Sequence, residues 1–66
     1  MYYLLAQEFL DGILLSNWYI EDPITGKPLK YSFYSIAYAK AKAQCFEVNS
    51  REVRVFVVHS SINRID

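Results

Sequence analysis

Nucleophilic catalysis needs a nucleophile, a base to take its proton and a group that orients the base. Cys45 is the only thiol in this sequence and His59 the only imidazole. The residues around Cys45 read as mid-helix, with no helix N-terminus or flanking cation to lower its pKa, so a small buried hydrophobe is the expected role. His59 ends an apolar run beside Ser60 and Ser61. Neighbouring side chains on a strand point to opposite faces, so His59 and Ser60 form no dyad by adjacency. Glu21 and Asp22 flank a turn, where Asp22 has an ordinary structural task. A closed structural zinc site needs about four ligands, and Cys45 and His59 are the only soft ones. The two glycines, Gly12 and Gly26, each belong to a turn, which leaves none for a phosphate loop. The residue types therefore predict a non-enzymatic chain without metal or cofactor.

Whatever positions these residues must be small. The chain has 66 residues, enough for one domain, 1–66. A domain of this size buries only about 60% of its unfolded surface, and a single cysteine cannot form an internal disulfide. Apolar composition must compensate: 53% of residues are hydrophobic and 17% aromatic, including six Tyr and four Phe. Each buried aromatic removes about 150–250 Å² from water. Eleven aromatics exceed what one such core can hide, so an apolar, tyrosine-rich patch is expected on the surface, and with it a protein partner or a homo-oligomer.

Seven Lys+Arg balance seven Asp+Glu. A protein held mainly by phosphates normally carries a basic excess, so zero net charge disfavours nucleic acid. The opening run Tyr2–Ala6 lacks a basic lead and is followed by Gln7, Glu8 and Asp11, unlike a signal peptide or membrane span. A lone cysteine suits a reducing cytoplasm, the expected location.

Turn chemistry divides the chain. Asp11-Gly12 lies between Leu10 and Ile13, and this dipeptide favours type I′ hairpins because both residues need φ > 0. Asp22-Pro23-Ile24-Thr25-Gly26-Lys27 supplies a preset φ, a side-chain acceptor and a left-handed position. Three runs between these signals read as strands: 2–10, 13–21 and 29–34. The first could equally form a helix through Leu15. In the third, Leu29, Tyr31 and Phe33 alternate with Lys30, Ser32 and Tyr34. Ser35 is a suitable N-cap for a helix over 36–48, ended by Asn49-Ser50. The apolar run 53–58 then reads as a strand covered on both faces. The expected fold is α+β, a small antiparallel β-meander of three strands followed by one helix and a fourth strand (βββαβ).

At about 100° per residue, the expected helix has two apolar stripes. Ile36, Ala39, Ala43 and Phe46 form one; Ala37, Ala41, Cys45 and Val48 form the other, with Tyr38 beside them. One stripe suffices to cover a sheet. The expectation is that Ile36 and Phe46 face the sheet while Ala37, Tyr38, Ala41, Cys45 and Val48 meet a partner, with Tyr38 as anchor. On that reading, Ala41→Glu would dissociate an oligomer and spare the monomer.

The stretch Trp18…Asp22-Pro23-Ile24-Thr25-Gly26-Lys27…Phe33…Ser35…Ala37 resembles the three-strand-plus-helix DNA-binding domain at the N-terminus of tyrosine recombinases, over residues 18–47. The resemblance implies a sheet entering a major groove, with Lys27, Lys30 and Tyr34 as contacts. A nucleic-acid reading more broadly would use Lys27, Lys30, Arg51 and Arg54, with Tyr31 or Tyr34 stacking on bases. A third reading is an oligomer that sequesters a nucleotide-like ligand against its tyrosines.

Overall fold

The computed structural model describes residues 1–59; the expectations placed on Ser60 to Asp66 lie outside the described residues. Five elements follow one another: β1 (Tyr2–Leu10), β2 (Ile13–Tyr19), α1 (Tyr34–Ala43), β3 (Phe46–Val48) and β4 (Arg51–His59). The strands form one antiparallel sheet in the order β2-β1-β4-β3. The α+β class therefore holds, while the helix interrupts the strands earlier than the sequence suggests. No helix among the described residues is long and apolar enough to cross a membrane.

The first hairpin follows from its turn. Asp11 and Gly12 have φ of 52° and 79°, the paired left-handed conformation that a type I′ turn requires, and Leu10 pairs with Ile13 across it. The Asp11 N–H donates to the Ser50 carbonyl at 2.9 Å, tying this turn to the one between β3 and β4. A Cβ added at Gly12 would meet nothing within 4 Å, so only its backbone conformation penalises a side chain there. Gly12→Ala is accordingly expected to cost about 1–2 kcal/mol, seen as a lowered midpoint with unchanged slope in urea unfolding.

In β2 the alternation breaks. Glu8 pairs with Ser16 but Phe9 with Leu14, so Leu15 is an extra residue in a bulge. Ser16 and Trp18 therefore share the side of Ala6, while Leu14 shares that of Phe9 and not of Trp18.

The expected third strand, 29–34, is absent. After β2 the chain leaves the sheet as a narrow excursion, closed by the Glu21–Pro28 bridge and by Asp22 N–H donating to Lys27 O at 2.8 Å. The Asp22 carboxylate accepts from Ile24 N–H at 2.8 Å, and Gly26 takes φ 73°. The chain returns to exchange two 2.9 Å bonds between Tyr31 and Tyr2. Ile20 already binds Leu4 on that edge of β1, so only the end at Tyr2 remains free for pairing.

The helix is shorter and earlier than expected. It spans Tyr34–Ala43, and Phe33 occupies the N-cap position without a side-chain cap, so Ser35 lies within the first turn. Phe46 to Val48, expected as its last turn, instead form β3 on the free edge of β4, with Phe46 opposite Val53. Asn49 does adopt the left-handed conformation (φ 57°), but in the β3–β4 turn and not at a helix end. Edge pairing with β4 outcompetes local helix propensity here.

The helix packs on β4 and β1. Beneath it Leu4, Ala6, Val53 and Val55 meet Ala37 and Ala41, and these six are the buried hydrophobic residues among the described ones. Three of the six are alanines, and Leu4 is the one large side chain that is fully buried. Tyr2, Ile20, Tyr31 and Val57 pack around them, half-buried.

Candidate interaction surface

Strand geometry sends Leu4, Ala6, Val53 and Val55 toward the helix, so the intervening residues face the other way. On that second face stand Tyr3, Leu5, Gln7 and Phe9 from β1, Glu52, Arg54, Phe56 and Val58 from β4, Leu14, Asn17 and Tyr19 from β2, and Glu47 from β3. None of these residues is buried, and no element of the described chain crosses over them. The expectation that β4 is covered on both faces is therefore corrected: Phe56 is 44% exposed. Most apolar members gather at one end, where Leu5 pairs with Phe56 and Tyr3 with Val58, while Phe9 and Leu14 pair at the other. Tyr3 and Tyr19 meet edge to face at 6.3 Å, and with Pro28 and Val58 they line a shallow cleft of about 290 Å³. Polar groups join Phe9 and Leu14 at that other end. The Arg54 guanidinium binds Glu52 at 2.9 Å and lies 4.6 Å from the centre of the Phe9 ring. That guanidinium holds the Glu52 carboxyl below its ordinary pKa, chiefly through the hydrogen bond.

The helix presents the stripe opposite to the one expected. Ala37 and Ala41 are 0% and 2% exposed against the chain's own sheet, while Ile36 is 47% exposed. Alanine lets the helix approach the strands closely, and a short helix on a small sheet needs that proximity more than it needs bulk. Of the residues expected beside them, Tyr38 is exposed and stacks on Tyr34 at 5.9 Å, with the Lys42 ammonium 5.8 Å from its ring centre. Val48 is exposed in β3. Cys45 follows the helix; its residue is exposed overall, but its sulfur is turned inward, accepting from Val55 N–H at 3.3 Å and lying 3.4 Å from the Ala41 carbonyl. The thiol thus meets backbone of β4 just past the end of β3. The five residues expected to form one surface do not form one.

A second hollow, about 280 Å³, lies on the helix side beyond the end of α1, between Trp18, Ile20, Phe46, Arg51 and Val53. Phe46 and Trp18 are half-exposed around it.

The basic and aromatic residues considered for nucleic acid do not converge. Lys27 sits in the excursion and Lys30 on its return, Tyr31 is packed against the core, and Tyr34 starts the helix. Arg51 faces the helix side, bound to Glu8, whereas Arg54 faces the opposite side, bound to Glu52. Each of these two arginines thus has a carboxylate partner. The chemistry-bearing residues are equally dispersed: His59 stacks on Tyr2 at 4.6 Å between ring centres, and Glu21 belongs to the bridge with Pro28. Among the described residues no three His, Cys, Asp or Glu are placed to hold a metal ion.

The surface residues missed by sequence reasoning are Tyr3, Leu5, Phe9, Tyr19 and Phe56. A signal existed in β4: Arg54 is the one polar residue of the run 53–58, which marks its face as one that water reaches. No protein-family model matches the chain, and no curated protein or solved structure shows significant similarity to it.

Proposed function

We propose that this chain is a non-enzymatic protein-interaction module, self-associating, that serves as an adaptor, inhibitor or accessory subunit. The observation that carries the reading is the uncovered sheet face. Contiguous exposed apolar surface of this kind is uncommon on soluble monomers and marks association sites. The core of six buried residues among the described ones adds support, because Leu4 is the one large side chain fully buried among them and a partner that covers the remaining apolar groups would add stability. The dispersal of Cys45, His59 and Glu21 favours binding over catalysis, and the lone thiol suits a reducing compartment such as the cytoplasm.

Placing a photoreactive phenylalanine analogue at position 56 in the native host tests this. A discrete protein adduct of defined mass is expected from position 56, and none from the same analogue at position 36 on the outer side of the helix. Irradiation that yields no adduct from position 56 would rule the reading out.

A further inference from the structure

The geometry points to a second copy of this chain as the occupant of the bare face, docked sheet to sheet about a two-fold axis that runs along the β1–β4 seam. This inference rests on the interaction reading above and specifies its partner.

Size is the first argument. Strands of nine residues rise about 3.3 Å per residue and lie about 4.8 Å apart, so the face measures roughly 30 by 15–19 Å. Two such faces together remove on the order of 1,000 Å² from water before side-chain relief is counted, the threshold for a specific interface.

Register is the second. A two-fold axis along the strands lays β1 of one copy over β4 of the other without exchanging their ends. Because Leu5 pairs with Phe56, Tyr3 with Val58 and Gln7 with Arg54 within one sheet, that operation sets each residue opposite its own register partner in the other copy. The apolar end then meets the apolar end, the Gln7 amide meets an arginine, and at the polar rim Phe9 meets Glu52. An axis across the strands would instead bring the apolar end over Gln7, Arg54 and Glu52, leaving buried polar groups unpaired. Isologous contacts of this kind close as a dimer and do not propagate. Aligned sheets pack about 10 Å apart at an angle near −30°, which side chains of these sizes fill.

Charge is the third. The formal net charge is zero, so two copies meet without long-range repulsion. Each Arg54 already has its own Glu52, and Glu47 beside them stands on β3 at the edge of the face.

Sedimentation and cross-linking of the purified full chain test the assignment. A dimer is expected across the concentration range of the measurement. Phe56→Glu should convert it to monomer with the far-ultraviolet circular dichroism retained, while Ile36→Glu leaves it dimeric. Should Phe56→Glu fail to fold, Val58→Lys at the outer end of the same face is the second variant, with the same outcome expected. Mixing Leu5→Cys chains with Phe56→Cys chains should give an inter-chain product with a short bis-maleimide, mapped by mass spectrometry. A dimer cross-linked instead through Ser16→Cys would overturn the face-to-face assignment and leave the interaction reading standing. A purely monomeric wild type overturns it too; the photoadduct at position 56 then decides whether the interaction reading survives with another partner.

Discussion

Leu4→Ala is expected to remove about 2.7–5 kcal/mol of the chain's stability. Leu4 is 0% exposed and lies under α1 between β2 and β4, with Ala6, Ala37, Ala41, Val53 and Val55 around it. Truncating a buried leucine to alanine costs about 2.7–5 kcal/mol, the larger values where the site cannot collapse. Its neighbours here are alanines and valines held on strands and a helix, so they have little side chain to move into the space. A 66-residue domain has a total stability of about 3–10 kcal/mol, so one substitution removes a large share of it. Urea unfolding followed by circular dichroism measures the loss. A cost below about 1 kcal/mol would show that Leu4 is not the centre of the core. If the chain dimerises as proposed, mass action makes the variant's midpoint rise with protein concentration.

Ala41→Glu should unfold the monomer, the reverse of the dissociation with retained fold that the alanine stripe suggests from sequence. Ala41 is 2% exposed against the sheet. A carboxylate there has no cation among the core residues, and an unpaired buried charge costs several kilocalories per mole, with added strain from the larger side chain. The pH dependence has a definite sign. Burial raises the pKa of such a carboxyl, so the folded state binds its proton more tightly than the unfolded state does. The variant should therefore regain stability as pH falls through the raised pKa, and lose it as pH rises. Ala39→Glu, at an exposed position on the same helix, is the control and should change stability by less than about 0.5 kcal/mol. If Ala41→Glu proves as benign as Ala39→Glu, the helix does not sit on the sheet as described.

Both outcomes follow from a core assembled from small residues. Such a core brings helix and strands close but excludes little water by bulk. The same economy leaves Phe56, Tyr19, Leu14 and Trp18 about half in solvent. The exposed aromatic residues lie on the sheet, at Trp18, Tyr19, Phe46 and Phe56, and around the start of the helix, at Phe33, Tyr34 and Tyr38.

What the amino-acid sequence determined by itself is the set of features with local causes. Asp11-Gly12 turns because both residues tolerate positive φ. Asp22 to Lys27 closes because a carboxylate, a proline and a glycine satisfy the turn among themselves. The apolar run after Arg51 extends because β-branched residues favour strands. Tertiary structure alone decided the rest. Residues 46–48 could continue a helix or pair with an edge, and β4 offered the edge. Residues 29–34 alternate as a strand, but Ile20 had already occupied β1 beside them. Two helical stripes were comparably apolar, and only packing distance chose Ala37 and Ala41, because the strands accept a close helix and would have to retreat from Ile36. Local propensity differs by tenths of a kilocalorie per mole between such options, whereas burial and strand pairing are settled by groups far away in the chain.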